Sequence, residues 1–111
     1  MAEVVASQSF IRASARKVRL VADVIRGKGI EESRAVLKVI PKKGSIVILK
    51  VLNTAIANAE QRKDLDISAL YVKEITVDIG PYLARFKARA MGRATPIRRP
   101  TAHVRIVLAE R

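Results

Sequence analysis

Apolar positions recur along this chain with two periods, and the periods divide it into elements. Val18, Val21, Ala22 and Ile25 fall at i, i+3, i+4 and i+7, the stripe of an amphipathic helix running from Ala15 to about Arg26. Arg16, Arg19, Asp23 and Arg26 lie on its opposite side. Ser14 is placed to cap it by accepting a free N–H of the first turn. Gly27-Lys28-Gly29 stops it, because glycine tolerates the left-handed conformation of a helix end. A second helix is expected over Ile30 to Ile40. Glu31 and Glu32 sit in its first turn, where the dipole favours negative charge. Val36, Leu37 and Ile40 form its stripe, and Pro41 ends it.

A third helix is expected over Lys43 to Arg62. Its β-branched start, Ser45 to Leu49, could pass for a strand. Helical spacing continues through Val51, Leu52, Ala55, Ile56 and Ala59, far beyond strand length. After a polar turn over Lys63 to Ala69, the period changes to two. Ile75, Val77 and Ile79 face one way, and Glu74, Thr76 and Asp78 the other, across a half-buried strand from Leu70 to Ile79. Val104, Ile106 and Leu108 repeat that alternation, with His103 and Arg105 outward. Residues 3–12 read as a short edge strand. The fold class is α+β, with three helices packed on a small antiparallel sheet.

Residues 80–101 fit neither period. Arg85, Lys87, Arg89, Arg93, Arg98 and Arg99 are cations with no acid among them, and Leu83, Phe86, Met91 and Ile97 are scattered. Gly92 sits where a reversal would fall. This segment reads as a long basic β-hairpin arm, with limbs of about 10 residues reaching about 30 Å. Two strands alone are marginal in water, and like charges weaken them further. A partner must therefore order the arm. A floppy basic loop is the plainer alternative. Tyr82 and Phe86 lie on one side of an extended limb, placed either to stack on bases or to pack across the strands.

Charge identifies the kind of partner. The 111 residues carry 22 lysines and arginines against 10 acids, a net charge of +12, enough for one domain and too few for two. Such a surface requires a polyanion: nucleic acid first, an anionic membrane surface second. Half the residues are hydrophobic, so the chain is a folded domain rather than a basic tail. With no cysteine there is no disulfide, zinc knuckle or thiol nucleophile. The apolar run Ile46 to Leu49 is broken by Lys50, far short of the ~18 residues of a membrane span. No secretory signal opens the chain, so a cytosolic setting is expected.

Candidate chemistry is sparse. His103 is the only histidine and has neither nucleophile nor orienting carboxylate in view, so an RNA or packing contact is the better reading. Glu74, Thr76 and Asp78 could hold Mg²⁺, but a solvated face explains them as well. Gly27-Lys28-Gly29 lacks the spacing of a phosphate loop. Arg16, Lys17 and Arg19 form either a solvated helix face or, given the net charge, a phosphate-facing patch. No cofactor and no enzymatic activity are expected.

Arg89-Ala90-Met91-Gly92-Arg93, followed after nine residues by His103-Val104-Arg105-Ile106-Val107-Leu108, resembles a ribosomal signature. Ser14 to Gly27, Ala55 to Glu60, and Val77-Asp78-Ile79-Gly80-Pro81 agree with it. Together they resemble the universal large-subunit ribosomal protein family number twenty-two over nearly the whole chain. The resemblance implies one rRNA-binding domain over 1–111, with an arm at about 80–101. Its partners would be large-subunit rRNA, neighbouring ribosomal proteins and the nascent polypeptide, with no membrane. By the same resemblance Arg12, Arg16, Lys17, Arg19, Lys87, Arg89, Arg93, Arg98, Arg99 and His103 would bind rRNA. Arg85, Phe86, Lys87, Ala88, Arg89, Ala90, Met91, Gly92 and Arg93 would form an arm tip lining the peptide exit tunnel. The chain departs from the family's usual pattern at Ala84, commonly basic or amide, and at Pro100, commonly within a plain strand. A free-standing nucleic-acid-binding regulator is the alternative, although neither a recognition helix nor a dimer seam is evident.

Overall fold

The computed structural model describes residues 3–62, 65–81, 83–88, 92 and 94–110. In chain order they form β1 (Glu3–Ile11), α1 (Ala15–Ile25), α2 (Ile30–Val39), α3 (Lys43–Glu60), β2 (Leu70–Ile79), β3 (Leu83–Ala88), β4 (Ala94–Arg99) and β5 (Ala102–Glu110), with a 3₁₀ turn at Ile67–Ala69 before β2. The architecture is α+β, as the periodicities predict. One antiparallel sheet has the order β1-β5-β2, and β3 and β4 form a second, two-stranded sheet. The C-terminal strand is thus central, and β1 is an edge.

The three helices cover one face of the main sheet. Val18, Val21, Ala22 and Ile25 of α1 are buried, as expected. So are Ile48, Val51, Leu52, Ala55, Ile56 and Ala59 of α3, which makes its β-branched start helical. Tertiary burial overrides the weak strand preference of that stretch. Fully burying Ile48 or Leu52 stabilises the fold by about 1.5–3 kcal/mol each. From the sheet, Val72, Ile75, Val77, Val104, Ile106 and Leu108 complete the core.

Several local expectations change. Ser14 occupies the N-cap of α1, but its side chain makes no capping bond; its carbonyl accepts from Val18 N–H at 3.1 Å. The stripe of α2 is Ile30, Ser33 and Leu37, while Val36 and Ile40 are only partly buried. The entry to α2 is pinned to β2, which fixes its rotation. Gly27, with φ +84, donates to the Val72 carbonyl, and Val72 donates back to Lys28, both at 2.9 Å. Gly29 bridges Tyr71.

Two bulges reset the strands. In β2 the register slips between Val72 and Glu74, so the buried set runs Leu70, Val72, then Ile75, Val77. One extra residue re-phases the side chains. Ile79, expected inward, is 65% exposed. In β1 two residues, Ser9 and Phe10, lie between Gln8 and Ile11, while only His103 lies between their partners Val104 and Ala102. The extra residue turns Ile11 into the core and Phe10 outward. Phe10 adopts φ +57, a left-handed conformation that costs a side-chain-bearing residue about 1–2 kcal/mol.

The arm is a separate hairpin. Six register pairs run from Leu83↔Arg99 to Ala88↔Ala94, about 20 Å of paired limb among the described residues. Proline sets the break at its root. Pro81 and Pro100 have no N–H for a ladder, and β4 ends at Arg99 before β5 begins at Ala102. Gly92, at the reversal, has φ +75. The chain reaches 64 Å along its longest axis, with a radius of gyration of 17.1 Å, against about 13 Å for a rounded domain of this length.

Candidate nucleic-acid interface

Cations gather where α1, α3 and the root of the arm meet. Arg12, Ser14, Lys17, Lys43 and Pro100 line one cleft of about 520 Å³. A neighbouring cleft of about 480 Å³ adds Lys42, Gly44 and Leu20. Among the described residues, neither cleft has an acidic residue on its wall. Lys43 Nζ donates to the Arg12 carbonyl at 2.9 Å, which ties the start of α3 to the end of β1. The first turns of α1 and α3 contain no acid. Two partially positive helix ends therefore add to the field of the lysines.

Lys42 and Lys43 were missing from the sequence-derived set. A signal was available: two lysines at a helix N-terminus oppose the dipole, an arrangement that a bound anion would relieve. Of the expected residues, Arg12 and Lys17 share the cleft, and Arg16 is exposed on the same helix. Arg19 is turned elsewhere. Its Nε donates to the Val77 carbonyl at 2.8 Å, and Arg26 likewise donates to the Ile75 carbonyl at 2.9 Å. These two arginines strap α1 to β2.

His103 is partly buried, and its Nδ1 accepts the Phe10 backbone N–H at 3.0 Å. The two rings meet edge to face, with centroids 5.0 Å apart. A packing role is therefore established for the histidine. On the arm, Arg85, Phe86, Lys87 and Ala88 belong to the β3 limb rather than to the reversal, and Arg98 and Arg99 belong to β4. Lys87 is in register with Thr95, and Ala84 with Arg98. Arg89, Ala90, Met91, Arg93 and Tyr82 lie outside the described residues. Among the described residues, no three histidine, aspartate or glutamate side chains come together in a way that could hold a metal ion. No helix among the described residues is long and apolar enough to cross a membrane.

A basic α+β domain with a cationic cleft and a separate two-stranded arm defines the class of small basic domains that carry a hairpin extension. A family model described as ribosomal protein L22p/L17e matches residues 6–109. The large ribosomal subunit protein uL22 of Geobacter sulfurreducens is 49% identical over 109 residues, 98% of this chain and 98% of that protein. The uL22 of Desulfitobacterium hafniense is 51% identical over 102 residues, 92% of this chain and 90% of that protein. That of Clostridium novyi is 49% identical over 102 residues, 92% of each. The chain belongs to the L22p/L17e family of ribosomal proteins, a structural and non-enzymatic family.

Proposed function

We infer that the protein is a structural constituent of the large ribosomal subunit in the cytoplasm, binding rRNA and supporting subunit assembly. The observation that carries this reading is the arm. It is a separate six-pair hairpin whose charged residues are all cations. It forms a sheet apart from the β1-β5-β2 sheet on which the helices pack. Folded RNA supplies phosphate on both sides of a crevice, which would neutralise both limbs at once. The domain, with Arg12, Arg16, Lys17, Lys42 and Lys43, would grip the outer rRNA surface beside neighbouring ribosomal proteins. The reversal about Gly92 would lie deepest, at the wall of the peptide exit tunnel, facing the nascent polypeptide.

Fractionation of native lysate on sucrose gradients at two salt concentrations tests this. The protein should sediment with the large subunit and stay there at high salt. Release at modest salt, or a position at the top of the gradient, would favour a free nucleic-acid-binding regulator. For the isolated protein, six arm cations on six phosphates predict an affinity loss of about 10³-fold between 50 and 200 mM salt, using the duplex DNA slope.

A further inference from the structure

We propose that Phe10 is a stacking platform for an unpaired base of the subunit's RNA, and that His103 is the residue that positions it. This rests on the RNA-binding reading above and adds a contact that charge does not supply.

Phe10 is held in the open by several features at once. By plain alternation from Val4 and Ala6 it would point into the core. The bulge between Gln8 and Ile11 reverses that and leaves Phe10 63% exposed. Its φ of +57 is a conformation that phenylalanine rarely adopts. A backbone outlier of this kind persists only where its surroundings over-determine it, and such outliers cluster at binding sites. Here the surroundings are specific. His103 Nδ1 takes the Phe10 N–H, and the imidazole meets the edge or face of the Phe10 ring at a right angle. A Cβ at Gly80 would lie closer to Thr101 Oγ1 than any side chain permits, and 3.1 Å from the His103 ring. Thr101 Oγ1 is locked to the Pro81 carbonyl at 2.5 Å.

The result is an aromatic ring fixed by its backbone and by one ring contact, while most of its surface faces solvent. The ring stands at the root of the arm. Arg12, exposed two residues along, supplies the cation for the adjoining phosphate. A flat hydrocarbon ring with no polar atom recognises the π-face of a base, and that contact is indifferent to base identity. Phosphate alone gains nothing from phenylalanine.

The test measures binding of the full-length protein to purified large-subunit rRNA across a salt series. Phe10→Leu should weaken binding roughly 5- to 100-fold, the range covered by one base–aromatic stack. Phe10→Trp should stay within about twofold of wild type, since its larger face also stacks. The slope of affinity against salt should be the same for all, because the lost contact carries no charge. His103→Ala should reproduce the Leu defect, and His103→Asn, which keeps an acceptor near the Nδ1 position, should restore binding. Phe10→Gly controls for folding: glycine accepts the left-handed backbone, so it should melt within a few degrees of wild type yet bind as weakly as Leu. Equal binding by Phe10→Leu, Phe10→Gly and wild type overturns the proposal, as does a Trp variant as weak as Leu. Failure of wild type to bind rRNA would instead overturn the RNA-binding reading.

Discussion

Gly80 is buried, and a Cβ there would overlap the Thr101 hydroxyl and press on the His103 ring. Thr101 is 1% exposed and bonded to the Pro81 carbonyl, so it cannot yield freely. Gly80→Ala should therefore destabilise the protein by about 1–2 kcal/mol, the usual scale of an overpacked site. Urea unfolding would check it; an unchanged midpoint would show that Thr101 moves at little cost. This glycine acts through space, since its neighbour across the root approaches closely. Gly27 and Gly92 act through φ, and their roles as helix stop and reversal were legible in the sequence because punctuating glycines fall between periodic segments. The space around Gly80 was not legible. It depends on Thr101 and His103, which are distant in sequence and brought close only by pairing of β2 with β5.

Among the elements, the long helices were the most legible. An apolar stripe that persists for several turns leaves one solution, so α1 and α3 were placed nearly to the residue. The strands were legible in existence but not in phase. A bulge adds one residue without a sequence mark, and it decides which side chains face the core beyond it. The bulge residue of β2 is Lys73, which forms an ion pair with Glu3 on the opposite edge strand. The hydrogen bond from Lys73, and then its charge, hold the Glu3 carboxyl below its ordinary 4.5. The same bond and charge hold the Lys73 ammonium above its ordinary 10.5. The pair's contribution is complete between those ordinary values. It is lost as pH falls through the lowered Glu3 value, and as pH rises through the raised Lys73 value. Lys73→Met should lower the melting temperature at pH 7 by a few degrees at most, because both groups are solvent-exposed. The gap should close as pH falls through the lowered Glu3 value, because the carboxylate is then protonated in both proteins. A gap that persists in acid would assign the effect to packing of the Lys73 stem.

At the scale of the whole molecule, the protein is a core domain and an arm that forms its own two-stranded sheet. The core cluster is continuous across α1, α2, α3 and the β1-β5-β2 sheet, while β3 and β4 pair only with each other. Ala84 and Arg98 are register partners on the arm. Excising residues 85–97 and joining Ala84 to Arg98 through Asn-Gly makes a two-residue hairpin of the favoured type. That variant should unfold cooperatively, with a melting temperature within a few degrees of wild type. Its rRNA affinity and salt slope should both fall, since Arg85, Lys87, Arg89 and Arg93 are gone. Loss of cooperative unfolding would show that the arm contributes to the core after all.

The sequence alone determined the class of fold, the extent of the helices, the place of the arm and the polyanionic kind of partner. Each of these is written in local periodicity or in summed charge, and both can be read one residue at a time. Tertiary structure decided which side chains share a site. It brought Lys42 and Lys43 beside Arg12 and Lys17, turned Arg19 onto the Val77 carbonyl, and made His103 the acceptor for Phe10. Those outcomes depend on strand register, on two bulges and on the packing of α1 against α3. A shift of one residue in any of them reverses the direction of a side chain, so only the assembled chain specifies the result.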